Sequence, residues 1–212
     1  MGVAATMLLA STASANLLVN PGFEIPAISP PPPEYPGAGA GWTAFGGPFT
    51  INSALVGDAA GAHGGSQVLK VFGGCCMGAF QEFAAAPGQT WDGGAWALNS
   101  SADPMAGGQV AAVNIEWFDA FNNQISFISN GTFTALSPLN QWTLQTISGV
   151  APAGTAKARL VLITGDFLPG GPGGAPRFDD AFFDIRPVPV PAAVWLFGSS
   201  LGLLGWMRRK SV

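Results

Sequence analysis

The sequence predicts an all-β sandwich, and three features of the chain indicate that fold. From Gly41 onward, short apolar runs recur at intervals of about ten residues, the spacing typical of short strands. Glycine and proline are abundant, at 30 and 18 of 212 residues, and they mark the turns between the runs. This region lacks the 3.6-residue apolar repeat of a long helix. Together these features favour two packed layers of antiparallel strands.

The alternation of apolar and polar residues shows which side of a strand faces the core. It is clearest in 109–118, where Val113, Ile115 and Trp117 share one face and Asn114 lies on the other. Ten strands are predicted in this way: Trp42–Phe45, Phe49–Asn52, Gln67–Phe72, Ala79–Ala84, Thr90–Asn99, Gln109–Phe118, Gln124–Phe133, Trp142–Val150, Ala156–Thr164 and Arg177–Ile185.

The segment before these strands contains residues that break regular structure. Residues 16–24 are predicted to form a short apolar strand that ends at the turn Asn20-Pro21-Gly22. Residues 26–41 contain the run Pro30–Pro33, so we expect a surface loop of polyproline character without a strand.

Both ends of the chain differ from the domain between them. Residues 1–15 are small and apolar and end in Ala13-Ser14-Ala15, which predicts a secretory signal peptide cleaved before Asn16. Residues 16–187 then form one domain of ordinary size. In the tail, 188–212, an uncharged apolar run extends from Ala192 to Met207 and predicts a transmembrane helix. The basic residues after it, Arg208, Arg209 and Lys210, are expected to stay on the cytoplasmic side.

This tail resembles the PEP-CTERM sorting signal of Gram-negative bacteria. The resemblance rests on the motif Val188-Pro189-Val190-Pro191, the apolar run behind it and the basic end. Val190 stands where the signal usually has an acidic residue, as in its VPxPAAxWLF form. The resemblance implies an exported protein whose precursor is anchored in the inner membrane through the tail. An exosortase-type membrane protease would cut near the motif, leaving the domain at the cell surface or in the extracellular matrix.

Composition excludes two classes of function. The net charge is −4, charged residues make up 9% of the chain, and no basic cluster precedes the tail, which argues against nucleic-acid binding. His63 is the one histidine, and neither a nucleophile elbow nor a zinc-protease motif is present. Asp179 and Asp180 are neighbours in a predicted strand and point to opposite faces, so they cannot flank one glycosidic bond. We therefore expect no enzymatic activity.

The two cysteines leave three alternatives open. Cys75 and Cys76 are adjacent and follow two glycines. They are compatible with two thiols, with a disulfide between neighbours or with a bridge to another chain.

The domain carries a second resemblance, to carbohydrate-binding modules of the CBM4/9/22-like group. It rests on six pieces in the family's order: Asn16–Glu24 with Gly41-Trp42, Gly64–Val71, Gln81–Phe83, Ala86–Thr90, Trp142 with Val150–Gly154, and Phe178–Phe183. The resemblance implies a jelly-roll β-sandwich of the galactose-binding-like type and a polysaccharide ligand.

The same resemblance implies a structural calcium ion. The matching acidic positions are Glu24, Asp179 and Asp180, and a loop carbonyl such as that of Lys70 would complete a set of oxygen ligands. The alternative is that Asp180 caps the closing strand and Glu24 is solvated.

Sugar binding requires aromatic faces with polar groups beside them. Trp91 and Trp117 are the predicted stacking platforms, and Glu116 and Asn99 are the predicted hydrogen-bonding partners. The predicted function is therefore binding of exopolysaccharide by an exported envelope or matrix protein. The alternative is a structural protein of the surface or biofilm matrix without a dedicated sugar site.

Overall fold

The structure, a computed structural model, describes residues 16–28, 34–53, 56–72, 76–166 and 173–187. The described residues up to Arg186 belong to one compact unit. The predicted signal peptide and the predicted transmembrane tail both lie outside the described residues. In the described ranges no helix is long and apolar enough to cross a membrane.

Two antiparallel sheets form the domain, which confirms the predicted β-sandwich. The strand order is β1-β3-β4-β11-β6-β9 in the six-stranded sheet and β2-β5-β10-β7-β8 in the five-stranded sheet. The strands are β1 (Glu34–Pro36), β2 (Thr43–Phe45), β3 (Phe49–Asn52), β4 (Gln67–Lys70), β5 (Met77–Ala84), β6 (Thr90–Leu98), β7 (Gln109–Phe118), β8 (Gln124–Thr134), β9 (Thr143–Val150), β10 (Lys157–Asp166) and β11 (Arg177–Ile185). All ten predicted strands are present, with ends that differ by a few residues.

The core lies between the sheets and follows the predicted alternation. On β7, Val113 and Ile115 are fully buried and Trp117 is 2% exposed. The neighbouring strand β10 of the same sheet contributes Leu160 and Leu162, which are also fully buried. Each such side chain adds about 1.5–3 kcal/mol when it leaves water, so this apolar layer is the main source of stability.

The prediction of a strand in residues 16–24 was wrong. The backbone takes a positive φ at Asn20 and at Phe23, which interrupts an extended conformation. The Phe23 side chain is fully buried, and its ring lies 5.1 Å from that of Trp42. The side chain of Asn16 bonds the carbonyl of Ala181 and the amide of Phe183, so this segment is held against β11 without being a strand.

The prediction of a strand-free loop in 26–41 was also wrong, because this segment contains β1. Glu34, Tyr35 and Pro36 pair with Ile51, Thr50 and Phe49 of β3. The strand is three residues long and lies at the edge of its sheet, the position in which proline is tolerated because one side needs no donor.

Candidate carbohydrate-binding groove

A depression of about 460 Å³ lies on the outer face of the five-stranded sheet. This volume is within the range of sites that bind small molecules. We call it the groove and define it by the residues that line it on β7, β8, β10 and just before β5: Val110, Ala112, Asn114, Glu116, Gln124, Phe127, Ser129, Gly131, Ile163, Gly165 and Cys76.

Strand register brings the polar residues of the groove together. Ser129 of β8 lies opposite Asn114 of β7, and Phe127 lies opposite Glu116. Directly opposed residues of antiparallel strands share one face of the sheet, so all four side chains belong to the outer face. The small residue Ala112 lies in the same row, which leaves room for a ligand above the sheet.

Asn114 is buried but incompletely hydrogen-bonded. The residue is 7% exposed, and its Oδ1 atom has no hydrogen-bond partner among the described residues. An unsatisfied buried acceptor costs about 1–3 kcal/mol, so a ligand group that donates a hydrogen bond there would recover that energy. Asn114 therefore provides a preformed acceptor in the groove.

Glu116 provides a second acceptor two residues along the strand. Its side chain is half-buried, and its carboxylate makes no hydrogen bond within the described part of the chain. Burial raises the pKa of the Glu116 carboxyl, and the positive charge of Arg159 lowers it by a smaller amount. The net result is a carboxyl group that is desolvated and available to a ligand.

Arg159 is held in place by one acidic and two aromatic side chains. Its Nε donates to Glu82 Oε2 at 2.7 Å, and Lys157 contacts the other oxygen of Glu82 at 3.0 Å. The guanidinium also lies over the rings of Phe80 and Phe118, at 4.5 and 4.0 Å from their centroids. These contacts fix Arg159 beside the groove.

Phe127 is the exposed aromatic side chain of the groove. It is 58% exposed, an unusual state for a phenylalanine in the middle of a strand. Gln124 and Ser129 of the same strand add an amide and a hydroxyl. The groove thus combines an apolar ring face with several polar groups, the combination found in small-molecule sites.

Cys76 lines the groove and is part of a disulfide. The sequence contains one other cysteine, Cys75, which lies outside the described residues. A disulfide at Cys76 contradicts the alternative of two thiols and leaves the two disulfide alternatives open. Cys76 itself has a φ of 70° and directly precedes β5.

Three of the four predicted sugar-contacting residues, Trp91, Trp117 and Asn99, are buried and lie outside the groove. Trp91 is fully buried with its ring 4.6 Å from that of Phe183, and Trp117 packs between the sheets against Gly149. The side-chain amide of Asn99 is hydrogen-bonded within the domain: its Nδ2 donates to the carbonyl of Ser137, and its Oδ1 accepts from the amide of Met105. Buried indoles cannot stack on a sugar ring. Glu116 is the one predicted residue that lies in the groove.

Three of the four predicted calcium ligands lie around the same loop. Glu24 Oε1 accepts from the amides of Ser66 and Gln67, both at 2.7 Å. Asp179 Oδ2 accepts from the amides of His63 and Gly64 at 2.9 and 3.0 Å. The carboxylates of Glu24, Asp179 and Asp180 therefore surround one loop, residues 63–67; we call them the carboxylate cluster.

Burial, together with the nearby charge of Asp180, raises the pKa of Asp179 to about 7. The fourth predicted ligand, Lys70, is at the end of β4, and its ammonium contacts Asp103 at 3.2 Å. Within the described ranges, no group of three or more acidic, histidine or cysteine side chains is arranged to hold a metal ion. The loop amides occupy the carboxylate oxygens instead, so calcium stays a prediction.

A second aromatic group, Trp96 and Trp142, contacts the same loop. The His63 ring stacks on Trp96 at 4.0 Å and meets Trp142 edge-on at 5.8 Å. His63 Nδ1 is 2.7 Å from Asp180 Oδ2, and Trp142 Nε1 donates to the carbonyl of Gly61. These contacts attach the loop to the sheet, and His63 covers one face of Trp96.

Comparisons with known proteins support the fold. No protein-family model and no curated protein matches this sequence. The Stig cyclase Fisc from Fischerella sp. TAU is similar to 84% of this chain over 100% of its own, with a TM-score of 0.60 and 14% identity. The CBM22-1–CBM22-2 tandem domain of Paenibacillus barcinonensis Xyn10C is similar to 84% of this chain over 48% of its own, with a TM-score of 0.52 and 13% identity.

A third structure, the active domain of the bacteriophage CBA120 tailspike protein 4, is much longer than this chain. The similarity covers 69% of this chain and 20% of the tailspike domain, with a TM-score of 0.47 and 14% identity. At such identities a likeness shows the fold alone, because one β-sandwich serves many functions. The likeness to the Fisc cyclase and to the CBM22 tandem domain supports a two-sheet β-sandwich for the described part of the chain.

Proposed function

We propose that this is an exported cell-envelope or extracellular-matrix protein whose β-sandwich binds exopolysaccharide in the groove. The observation that carries the proposal concerns Oδ1 of buried Asn114, which has no hydrogen-bond partner among the residues that the structure describes. Asn114 lies on one sheet face with Glu116 and exposed Phe127. The fold shared with the CBM22 tandem domain supports it.

The groups of the groove fit the chemistry of a sugar. A pyranose presents hydroxyl groups around its rim, which can donate to Asn114 Oδ1 and to the Glu116 carboxylate. Its C–H faces are apolar and can cover the ring of Phe127. Gln124 and Ser129 can both donate and accept, so they suit further hydroxyls. A sugar can thus supply hydrogen-bond partners to the polar side chains named above.

Export and processing are part of the same proposal and rest on the two ends of the sequence. The cleavage pattern Ala13-Ser14-Ala15 and the motif Val188–Pro191 support export and exosortase cleavage. A membrane-anchored precursor in a Gram-negative cell would follow from the apolar run and its basic end. We propose a binding role without catalysis, since the sequence carries no catalytic motif.

The test is a polysaccharide-binding screen with the purified full chain and two phenylalanine variants. Phe127→Ala removes the exposed ring of the groove, and Phe121→Ala removes a ring that is 84% exposed in the β7–β8 turn. Loss of a stacked phenylalanine is worth about 1.5–3 kcal/mol, so affinity should fall roughly tenfold to a hundredfold in Phe127→Ala. Phe121→Ala should bind normally. Equal effects of the two variants would refute the groove as the site.

The alternative is a structural matrix protein without a dedicated sugar site. It is favoured by the burial of Trp91 and Trp117, which leaves Phe127 as the aromatic residue lining the groove. A folded protein that binds none of the polysaccharides in the screen would support this alternative.

A further inference from the structure

We propose that Glu116 makes the groove select polysaccharides by charge, so that uncharged sugars bind and sugars carrying carboxylates are rejected. This inference rests on the proposed function and names the ligand class of the same site. It follows from which groups line the groove and from how the charges around them are paired.

Among the described residues that line the groove, Glu116 is the one ionisable side chain apart from Cys76, which is in a disulfide. Asn114 and Glu116 are consecutive outward residues of β7, so their side chains lie about 7 Å apart along the strand. Both present oxygen acceptors that lack donors in the described part of the chain. A ligand must therefore bring donors to two neighbouring points, and hydroxyls do so whereas an ionised carboxylate cannot.

The positive charge nearest to Glu116 is engaged outside the groove. Arg159 of β10 lies opposite Glu116 in the register, but its guanidinium is bonded to Glu82 and held between two phenylalanine rings. Lys157 is bonded to the same glutamate. Glu82 thus contacts both cations of β10, and neither cation is among the described residues that line the groove. A uronate in the groove would therefore meet the Glu116 carboxylate directly.

Three elements surround Glu116, and their charged groups are few. β10 contributes Arg159 and Lys157, and β5 behind it contributes Glu82. β8, on the other side, carries no ionisable side chain between Gln124 and Thr134. The discrimination should therefore follow the ionisation of Glu116 and weaken as the pH falls and its carboxylate is protonated.

The experiment compares one polysaccharide in two charge states. A neutral polysaccharide that binds in the screen is measured beside its derivative with C6 hydroxyls oxidised to carboxylates. The proteins are the full chain, Glu116→Gln and Asp184→Asn. Asp184 is a half-buried carboxylate of β11 on the other sheet, so its substitution changes the net charge equally.

The wild type should bind the oxidised polymer at least about tenfold more weakly than the parent at low salt, because like charges repel strongly at contact distance. Added salt should reduce the difference. Glu116→Gln should bind the two polymers about equally, and Asp184→Asn should discriminate like the wild type.

Two results would overturn the inference while the proposed function stands: equal binding of both polymers by the wild type, or an unchanged preference in Glu116→Gln. Relaxed discrimination in Asp184→Asn as large as in Glu116→Gln would assign the effect to net charge and also overturn it. Absence of binding to every neutral polysaccharide would instead refute the proposed function itself.

Discussion

The ion pair between Arg177 and Asp58 is buried, and removing one partner should be costly. The Arg177 Nη2 donates to Asp58 Oδ1 at 2.9 Å and its Nε donates to Oδ2 at 3.2 Å. The side chains are 1% and 0% exposed. Asp58 also accepts from the hydroxyls of Ser53 and Ser100, so one carboxylate satisfies three buried side chains.

Asp58→Ala would leave the guanidinium with the carbonyl of Ala175 and without a counter-charge. Breaking a buried pair in this way costs about 3–5 kcal/mol, which is a large part of the 5–15 kcal/mol that stabilises a typical domain. The exposed pair of Arg186 and Asp92 has the same two-bond geometry, at 2.7 and 2.8 Å. Its arginine is 58% exposed, and Asp92→Ala should therefore cost about 0–1 kcal/mol.

Urea unfolding at pH 7, followed by tryptophan fluorescence, measures both free energies. Adding Arg177→Met to Asp58→Ala should recover much of the loss, because the double variant buries no unpaired charge. Equal costs for Asp58→Ala and Asp92→Ala would refute the argument that burial sets the value of these pairs. Failure of Arg177→Met to restore stability would refute the unpaired charge as the cause.

Four further outcomes are expected. Trp117→Ala should lower the free energy of unfolding by about 3–5 kcal/mol, measured in urea, so any loss of sugar binding in it would report unfolding; a cost below 1 kcal/mol would contradict its place in the core. Without divalent cations, stability should fall as the pH rises from about 4 to about 7, since Asp179 keeps its proton in the folded state and loses it on unfolding. The difference from its ordinary value of 3.8 corresponds to at most ~4 kcal/mol, and a denaturation series that is flat over this range would refute it. EDTA should lower the melting temperature if calcium binds the carboxylate cluster, and an unchanged melt would remove the calcium prediction. Alkylation without reductant should modify neither Cys75 nor Cys76, and a labelled thiol would contradict the disulfide.

Strand positions could be predicted because alternation is a local property of the chain. The residues of β7 show this, since the pattern that places Val113 and Ile115 inside also places Trp117 inside. The interpretation of Trp117 as a sugar-stacking platform conflicts with that pattern. The Trp117 side chain is 2% exposed and belongs to the core. Residues 16–24 were misjudged because an apolar segment that is buried without pairing has the same composition as a strand.

The groove could be predicted only in part because it depends on register. Glu116 could be named from the sequence because it is next to Trp117. Phe127 was missed because β7 and β8 are out of simple register at two points, between Ala111 and Val113 and between Trp117 and Phe118. Such shifts decide which face of β8 is exposed, and short apolar runs do not reveal them. The missing partner of Asn114 likewise depends on cross-strand neighbours.

The attachment of the N-terminal segment to β11 has a mechanical consequence. Arg177 and Phe178 pair with β4, while the amide of Leu17 and the side chain of Asn16 occupy the same side of β11 farther along. β6 pairs with the other side over nearly the whole strand. A protein anchored through its C-terminal end would transmit tension into β11 first. Because bonds on both sides of the strand would share that load in shear, the domain should resist extraction better than one tethered through an edge strand.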